Sequence, residues 1–400
     1  MRVLIADKLP EKSIEVLRQA GHSVVVEICS EDQLQEALVA HGIESLVVRS
    51  TKVTRNMIQH ASSLELIVRA GAGYDSIDLE AASEFGVFVA NCPGKNASAV
   101  AELTIGLIIS LDRWIPDNVS DARAGKWQKG RYAKALGLKG RVLGLIGMGK
   151  IGQIVAQMAQ GLELEVVAWS RSLTAESAAA FGVDYADSPI QVAAQSDIVS
   201  LHVAATPSTF HLANRDFFAA MKPGTFFINT TRGSVVDETA LLAALDENGI
   251  RAALDVFEDE PLYKAGALTT HLHKHPSVYL THHIGASTAQ AQEATGDEAA
   301  RVIDTYANTG VVPNCVNIAV QSSATHLITV RHLDKVGVLA RVLDMVRKCN
   351  LNVQEMENQV FSGSMNAAVA RIRVVGKPPE ELSSLLENIQ DVLAVSEIKL

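Results

Sequence analysis

Three short segments in the second half of the chain carry side chains that could share one reaction: Asn229-Thr230-Thr231-Arg232-Gly233, Asp255-Val256-Phe257-Glu258-Asp259-Glu260-Pro261 and Thr281-His282-His283-Ile284-Gly285. Each follows an apolar run of strand character, so a parallel sheet would deliver all three to one end. An arginine can hold a carboxylate through two parallel hydrogen bonds. Histidine titrates near neutrality, and a carboxylate bonded to one ring nitrogen fixes its tautomer and stabilises the imidazolium. Together these are the parts that move a proton while hydride passes to or from a nicotinamide ring. Singly, the segments read as a capping arginine, an acidic surface loop and core histidines; their order along the chain favours the shared site.

A seat for the hydride carrier lies upstream. Arg141 to Gly152 reads RVLGLIGMGKIG, an apolar run ending in Gly147, Gly149 and Gly152 at the spacing of a dinucleotide-binding turn. Lys150 and Ile151 open the following helix, whose positive end would face the pyrophosphate. The usual acidic partner of the adenosine ribose, about 20 residues on, is missing. Ser170, Arg171 and Ser172 stand there instead, and their donors suit a 2′-phosphate, so the pocket leans to NADP over NAD. The alternative is a solvent-facing arginine in an NAD enzyme.

In the first half, Arg49-Ser50-Thr51-Lys52 and Arg69-Ala70-Gly71-Ala72-Gly73 also follow strand-like runs. Their cations and glycine-freed amides could face an anion, or be solvated charges and simple turns. His271, His273 and His275 alternate without a fixed carboxylate partner, so no metal is expected. Cys29, Cys92, Cys315 and Cys349 are far apart and read as reduced thiols in a cytoplasmic protein.

The elements that must position these groups alternate. Strands are expected at 3–6, 23–27, 45–49, 66–69 and 87–90, with helices near 13–20, 31–40 and 79–85 between them. A second set follows at 142–147, 165–169, 197–202, 225–229, 250–255 and 278–281. The fold class is therefore α/β, with two doubly wound parallel-sheet domains. A long helix pattern at 97–111 leads into a polar crossing at 117–139, and a helix at 286–307 can return the chain to the first domain. The domains expected are a discontinuous substrate domain, 1–97 with 285–315, a dinucleotide domain, 98–284, and a C-terminal βαββαβ unit, 324–400.

Of 400 residues 48% are hydrophobic, enough for well-buried cores, and the net charge of −10 argues against a nucleic-acid or anionic-membrane surface. No apolar run reaches the ~18 residues of a spanning helix. The opening MRVLIADKLPEKS reads as strand and turn, without a signal-peptide pattern.

The chain resembles the D-isomer-specific 2-hydroxyacid dehydrogenases over nearly its whole length, through GMGKIG at 147–152, NTTRG at 229–233, LDVFEDEP at 254–261, HIGASTAQAQ at 283–292, VRSTKVT at 48–54, RAGAGYDSIDLEAA at 69–82 and NCPGKNASAVAELT at 91–104. Among them it is most similar to the members that oxidise 3-phosphoglycerate, and its C-terminal unit resembles an ACT domain. The resemblance implies that Arg232 binds the substrate carboxylate and 2-oxygen, that His283 accepts the proton and that Glu260 is its partner. It implies Thr231 and Asp255 beside the cofactor, Ala72, Gly73 and Asn96 around the substrate carboxylate, and Arg49 and Arg69 near a 3-phosphate. His282 stands where the family usually has proline. In the ACT unit, His332, Gly337 and Asn352 match an L-serine effector site, with Asp334 where asparagine is usual. A homodimer or homotetramer is implied. The alternatives are an NADPH-dependent glyoxylate or hydroxypyruvate reductase and, in another class, a dinucleotide-sensing binding protein.

Overall fold

The computed structural model describes residues 1–28, 30–261, 266–268, 270–319, 322–363 and 366–400, so Cys29 lies outside the described residues. Residues 1–317 form one compact unit and 318–400 another. In the first unit, strands β1 (Arg2–Ile5), β2 (Ser23–Val26), β3 (Ser45–Val48), β4 (Leu66–Arg69) and β5 (Phe88–Asn91) form a parallel sheet ordered β2-β1-β3-β4-β5. Strands β6 (Val142–Ile146), β7 (Glu165–Trp169), β8 (Asp184–Tyr185), β9 (Ile198–Leu201), β10 (Phe226–Asn229), β11 (Arg251–Leu254) and β12 (Val278–Leu280) form a second, ordered β12-β11-β10-β9-β6-β7-β8 and parallel throughout. The inner strands are apolar along their length because helices cover both faces: Leu46, Val48, Leu145 and Ile228 are wholly buried. Each such side chain contributes roughly 1.5–3 kcal/mol of burial.

The order in which successive strands are added reverses between β1 and β3 in the first sheet and between β6 and β9 in the second, and ligands of such sheets bind beyond the strand ends at these switch points. Asp7 and Arg49 lie just past the first, Gly147 and His202 just past the second. Helix Ala289–Thr309 lays Ala299, Ala300, Val302 and Ile303 into the core that also holds Val3, Ile5 and Val68.

The elements differ from expectation in places. Helix Arg55–His60 and the two-residue β8 carry too short a pattern to stand out. The polar stretch expected as a crossing is helical at Ile115–Arg123 and Lys129–Tyr132. Trp114 breaks the preceding helix by adopting a left-handed conformation, φ +48°, and Pro116 starts the next. Among the described residues, no helix is long and apolar enough to cross a membrane.

The second unit has strands β13 (His326–Leu333), β14 (Asn352–Val360), β15 (Ala367–Val375) and β16 (Val392–Lys399), antiparallel and ordered β14-β15-β13-β16. Helices Val338–Lys348 and Leu382–Glu387 cover one face, packing Val342, Val346 and Leu386 on Ile328, Val330 and Ile372. The order is βαββαβ.

Candidate active site

His283 Nδ1 donates to Glu260 Oε2 at 2.7 Å, leaving its Nε2 lone pair for another proton. The other Glu260 oxygen accepts from Phe257 N at 3.3 Å. His283 sits at φ +50°, a left-handed conformation that histidine tolerates better than most residues. Asp255, 1% exposed, holds it there. Its Oδ1 accepts from Thr281 Oγ1 at 2.6 Å and Ile284 N at 2.9 Å, its Oδ2 from Gly285 N at 2.8 Å, and its backbone oxygen from His283 N at 2.9 Å. Both carboxylate oxygens of the residue expected beside the cofactor are thus also engaged by the histidine loop. His282 is exposed. The acidic loop is pinned further by His211 Nε2, which donates to Glu258 Oε1 at 2.5 Å, and by Glu258 N, which donates to Glu238 Oε1 at 2.7 Å.

Arg232 is held by Asn229, 1% exposed at the end of β10. Asn229 Oδ1 accepts from Thr231 N at 2.9 Å and Thr231 Oγ1 at 2.7 Å, while its Nδ2 donates to Arg232 O at 2.9 Å. Thr231 is therefore occupied within its own loop. Gly233 lies against the acidic loop: a Cβ there would stand 2.1 Å from Phe257 O and 2.4 Å from Glu258 N. The arginine loop and the loop carrying Glu260 share that wall.

The first-sheet loops meet the same cleft. A Cβ on Gly73 would stand 1.9 Å from Arg232 Nη2, and one on Gly71 would stand 1.5 Å from Arg69 Nη1. Arg69 is pushed down to about 10 by burial and by the charges of Arg232 and Arg49, its Asp75 neighbour opposing them. Two arginines, Arg69 and Arg232, therefore press on the glycine loop, and a third, Arg49, is close enough for its charge to act on Arg69. Arg69 Nε is buried with no hydrogen-bond partner among the described residues, and so is Asn96 Oδ1. Asn91 Nδ2 fixes the loop through Ala72 O at 2.6 Å. Asp7 Oδ2 accepts from Arg49 N, Ser50 N and Thr51 N at 2.7, 2.9 and 2.9 Å. Burial works to raise the Asp7 carboxyl, but these donors outweigh it and hold it below the usual range.

The glycine turn fits a dinucleotide. A Cβ on Gly147 would stand 2.4 Å from His202 O and one on Gly152 would stand 2.1 Å from Gly147 O, whereas Gly149 faces open space. Gly147 also has φ +108°. His202 beside it donates or accepts at Ser200 Oγ, 3.0 Å away, while its Nδ1 is buried without a partner, and burial drives the imidazole down to about 3, so it is neutral. Backbone amides of Lys150, Ile151 and Gly152 open the helix, as expected of an anion seat. The Lys150 side chain departs from that seat: its Nζ donates to Pro93 O at 3.3 Å. Arg171 and Ser172 are exposed and Ser170 half-buried, and among the described residues no hydrogen bond holds the guanidinium. His273 Nδ1 and His275 Nε2 meet Thr270 O at 2.5 Å and Asp246 Oδ1 at 3.3 Å, separate partners for two of the alternating histidines.

A family profile described as D-isomer specific 2-hydroxyacid dehydrogenase, NAD binding domain, matches residues 105–285. D-3-phosphoglycerate dehydrogenase of Methanocaldococcus jannaschii is 38% identical over 320 residues, which are 80% of this chain and 60% of that one. The chain thus spans less than two thirds of that relative's length. Glyoxylate reductase of Thermococcus litoralis is 33% identical over 335 residues, 81% of this chain and 98% of its own. The chain belongs to the D-isomer-specific 2-hydroxyacid dehydrogenase family. The crystal structure of NAD+-bound 3-phosphoglycerate dehydrogenase from Entamoeba histolytica superposes with a TM-score of 0.67 at 26% identity, over 80% of this chain and 99% of that one.

Three residues around the site carry no role in the motif reading: Asp7 and His202, which lie outside the quoted motifs, and Asp75, which lies inside the 69–82 motif. Asp7 lies two residues past β1, so a carboxylate near a strand end was the available signal; His202 ends the run read as strand and looks like core. In the C-terminal unit the expected effector residues do not share one environment. His332 is 1% exposed, with Nδ1 on Leu333 O at 2.8 Å and Nε2 on Asn358 Oδ1 at 3.0 Å. Asp334 and Asn352 are exposed, and Gly337 caps the first helix at φ +84°.

Proposed function

We propose that the chain is a nicotinamide-dependent oxidoreductase of D-2-hydroxy acids, with 3-phospho-D-glycerate and 3-phosphohydroxypyruvate as its substrate pair. The observation that carries this reading is the 2.7 Å His283–Glu260 pair beside an arginine loop that packs on the same acidic segment. A bound nicotinamide supplies the hydride acceptor or donor at the substrate C2. His283 takes the C2 hydroxyl proton at Nε2, because Glu260 keeps Nδ1 as the donor and stabilises the imidazolium. Arg232 holds the carboxylate and 2-oxygen, polarising the carbonyl in the reverse direction. The amides of Ala72 and Gly73, with Asn96, complete the carboxylate pocket. Arg49 and Arg69 take the phosphate; the crowding of three guanidiniums supports a ligand with more than one negative charge.

Gly147, Gly149 and Gly152 with the amides of Lys150 and Ile151 would hold the pyrophosphate, and Ser170, Arg171 and Ser172 favour NADP over NAD. The test is a steady-state screen of both nucleotides against 3-phosphoglycerate, phosphohydroxypyruvate, hydroxypyruvate and glyoxylate. If Arg232→Ala and His283→Ala both leave kcat/KM near the parent value, the site is wrongly assigned. A glyoxylate or hydroxypyruvate reductase is the second reading, favoured by the 98% coverage of the T. litoralis relative. Arg49→Ala separates the two: a KM rise confined to phosphorylated acids supports the first. Adding L-serine to the assay tests the C-terminal unit as an effector domain, and sedimentation tests the homodimer or homotetramer.

A further inference from the structure

One carboxylate of the cleft has no part in that reaction. Asp75 is exposed, two residues beyond Gly73, and its Oδ2 accepts from Arg232 Nε at 2.8 Å. Arg232 Nη1 donates to Thr231 O, also at 2.8 Å. Among the described residues Nη2 has no acceptor, and it is the nitrogen pressed against Gly73, 1.9 Å from where a Cβ would stand. The same Cβ would lie 3.2 Å from Asp75 Oδ2, so carboxylate, guanidinium and glycine loop meet at one point. A guanidinium has five donors in a fixed fork, so holding Nε on one side sets the direction of Nη2 on the other. Asp75 is also the negative neighbour offsetting the arginines around Arg69.

We propose that Asp75 is a positioning and specificity residue: its hydrogen bond aims Arg232 Nη2 alongside the Gly71–Gly73 loop, where its N–H and the loop amides can face one carboxylate, and its charge limits how tightly the three-arginine cleft grips a multiply charged acid. The proposal rests on the dehydrogenase reading for its kinetics and on binding alone for its electrostatics.

Two substitutions separate the two effects. Asp75→Asn keeps an oxygen acceptor and removes the charge, whereas Asp75→Ala removes both. Calorimetric titration with 3-phosphoglycerate should show Asp75→Asn binding about three- to tenfold more tightly than the parent, with the gap shrinking at high salt. Affinity that is unchanged or weaker overturns the electrostatic half whether or not the protein turns over any acid. In turnover, Asp75→Asn should keep kcat within about twofold for hydroxypyruvate and for phosphohydroxypyruvate, while Asp75→Ala loses about tenfold on both because Arg232 loses its aim. Equal kcat in the two variants overturns the positioning half. Absence of turnover by the parent protein overturns the dehydrogenase reading instead, and the calorimetry keeps these results apart.

Discussion

Two arginines stand at the same end of the seven-stranded sheet, and the chain treats them differently. Arg232, after β10, has its backbone clamped by a buried asparagine, its loop wedged on a neighbouring peptide and its side chain tied to Asp75 and Thr231. Arg171, after β7, is exposed, and among the described residues no side chain or carbonyl holds it. The difference follows the work each is proposed to do. A group beside the reacting carbon must be set to a fraction of an ångström before substrate arrives, since misplacement is lost directly from the rate. A group that meets a remote phosphate needs charge and reach, and can order when the ligand binds.

That contrast is broken or sharpened by four measurements. His283→Ala should reduce kcat about 10²–10⁴-fold with both nucleotides, the loss expected on removing a general base. Asn229→Ala, which touches no substrate, should still cost about 10²-fold in kcat by freeing the Arg232 loop; a loss seen only in KM would show that the brace is dispensable. Arg171→Ala should raise KM for NADP about tenfold and leave kcat and the NAD constants alone. If it lowers kcat, the two arginines are not of different kinds. The smallest effect concerns stability. Glu298 is held down to about 2 chiefly by its Arg301 hydrogen bonds, with burial opposing and Asn314 and Lys95 assisting. A depressed carboxyl stabilises the fold above its unfolded value and loses that contribution as pH falls toward the folded one, so Glu298→Gln should be less stable than the parent at about pH 7 by at most about 3 kcal/mol. In urea titrations the gap should narrow from about pH 5 downward.

Much of the architecture was legible because parallel strands covered on both faces read as unbroken apolar runs. Glycines that cannot carry a Cβ, Gly147 and Gly152, advertise the close approach they permit. Short elements were not legible: Asp184–Tyr185 and Arg55–His60 are too brief to establish a period. Within the candidate site the motifs contain both the residues proposed to touch ligand and the braces Asn229, Asp255 and Asp75, but which residue each brace holds is not written in them. Asp7 is 42 residues from Arg49, and Asp75 is 157 from Arg232. No local pattern encodes such pairs, because folding alone brings them together. The position of Asp255 was legible, yet only the coordinates reveal that both of its oxygens face the histidine loop.

The contact at Gly233 bears on how this scaffold can be altered. With the Arg232 loop seated directly on the Phe257–Glu258 peptide, neither loop has slack to lengthen, shorten or change hand by itself. A chimera that imports one from another parent inherits a collision or a gap, while one that imports both keeps their common boundary. For recombination, residues 229–233 and 255–260 are a single cassette, although more than twenty residues of chain run between them.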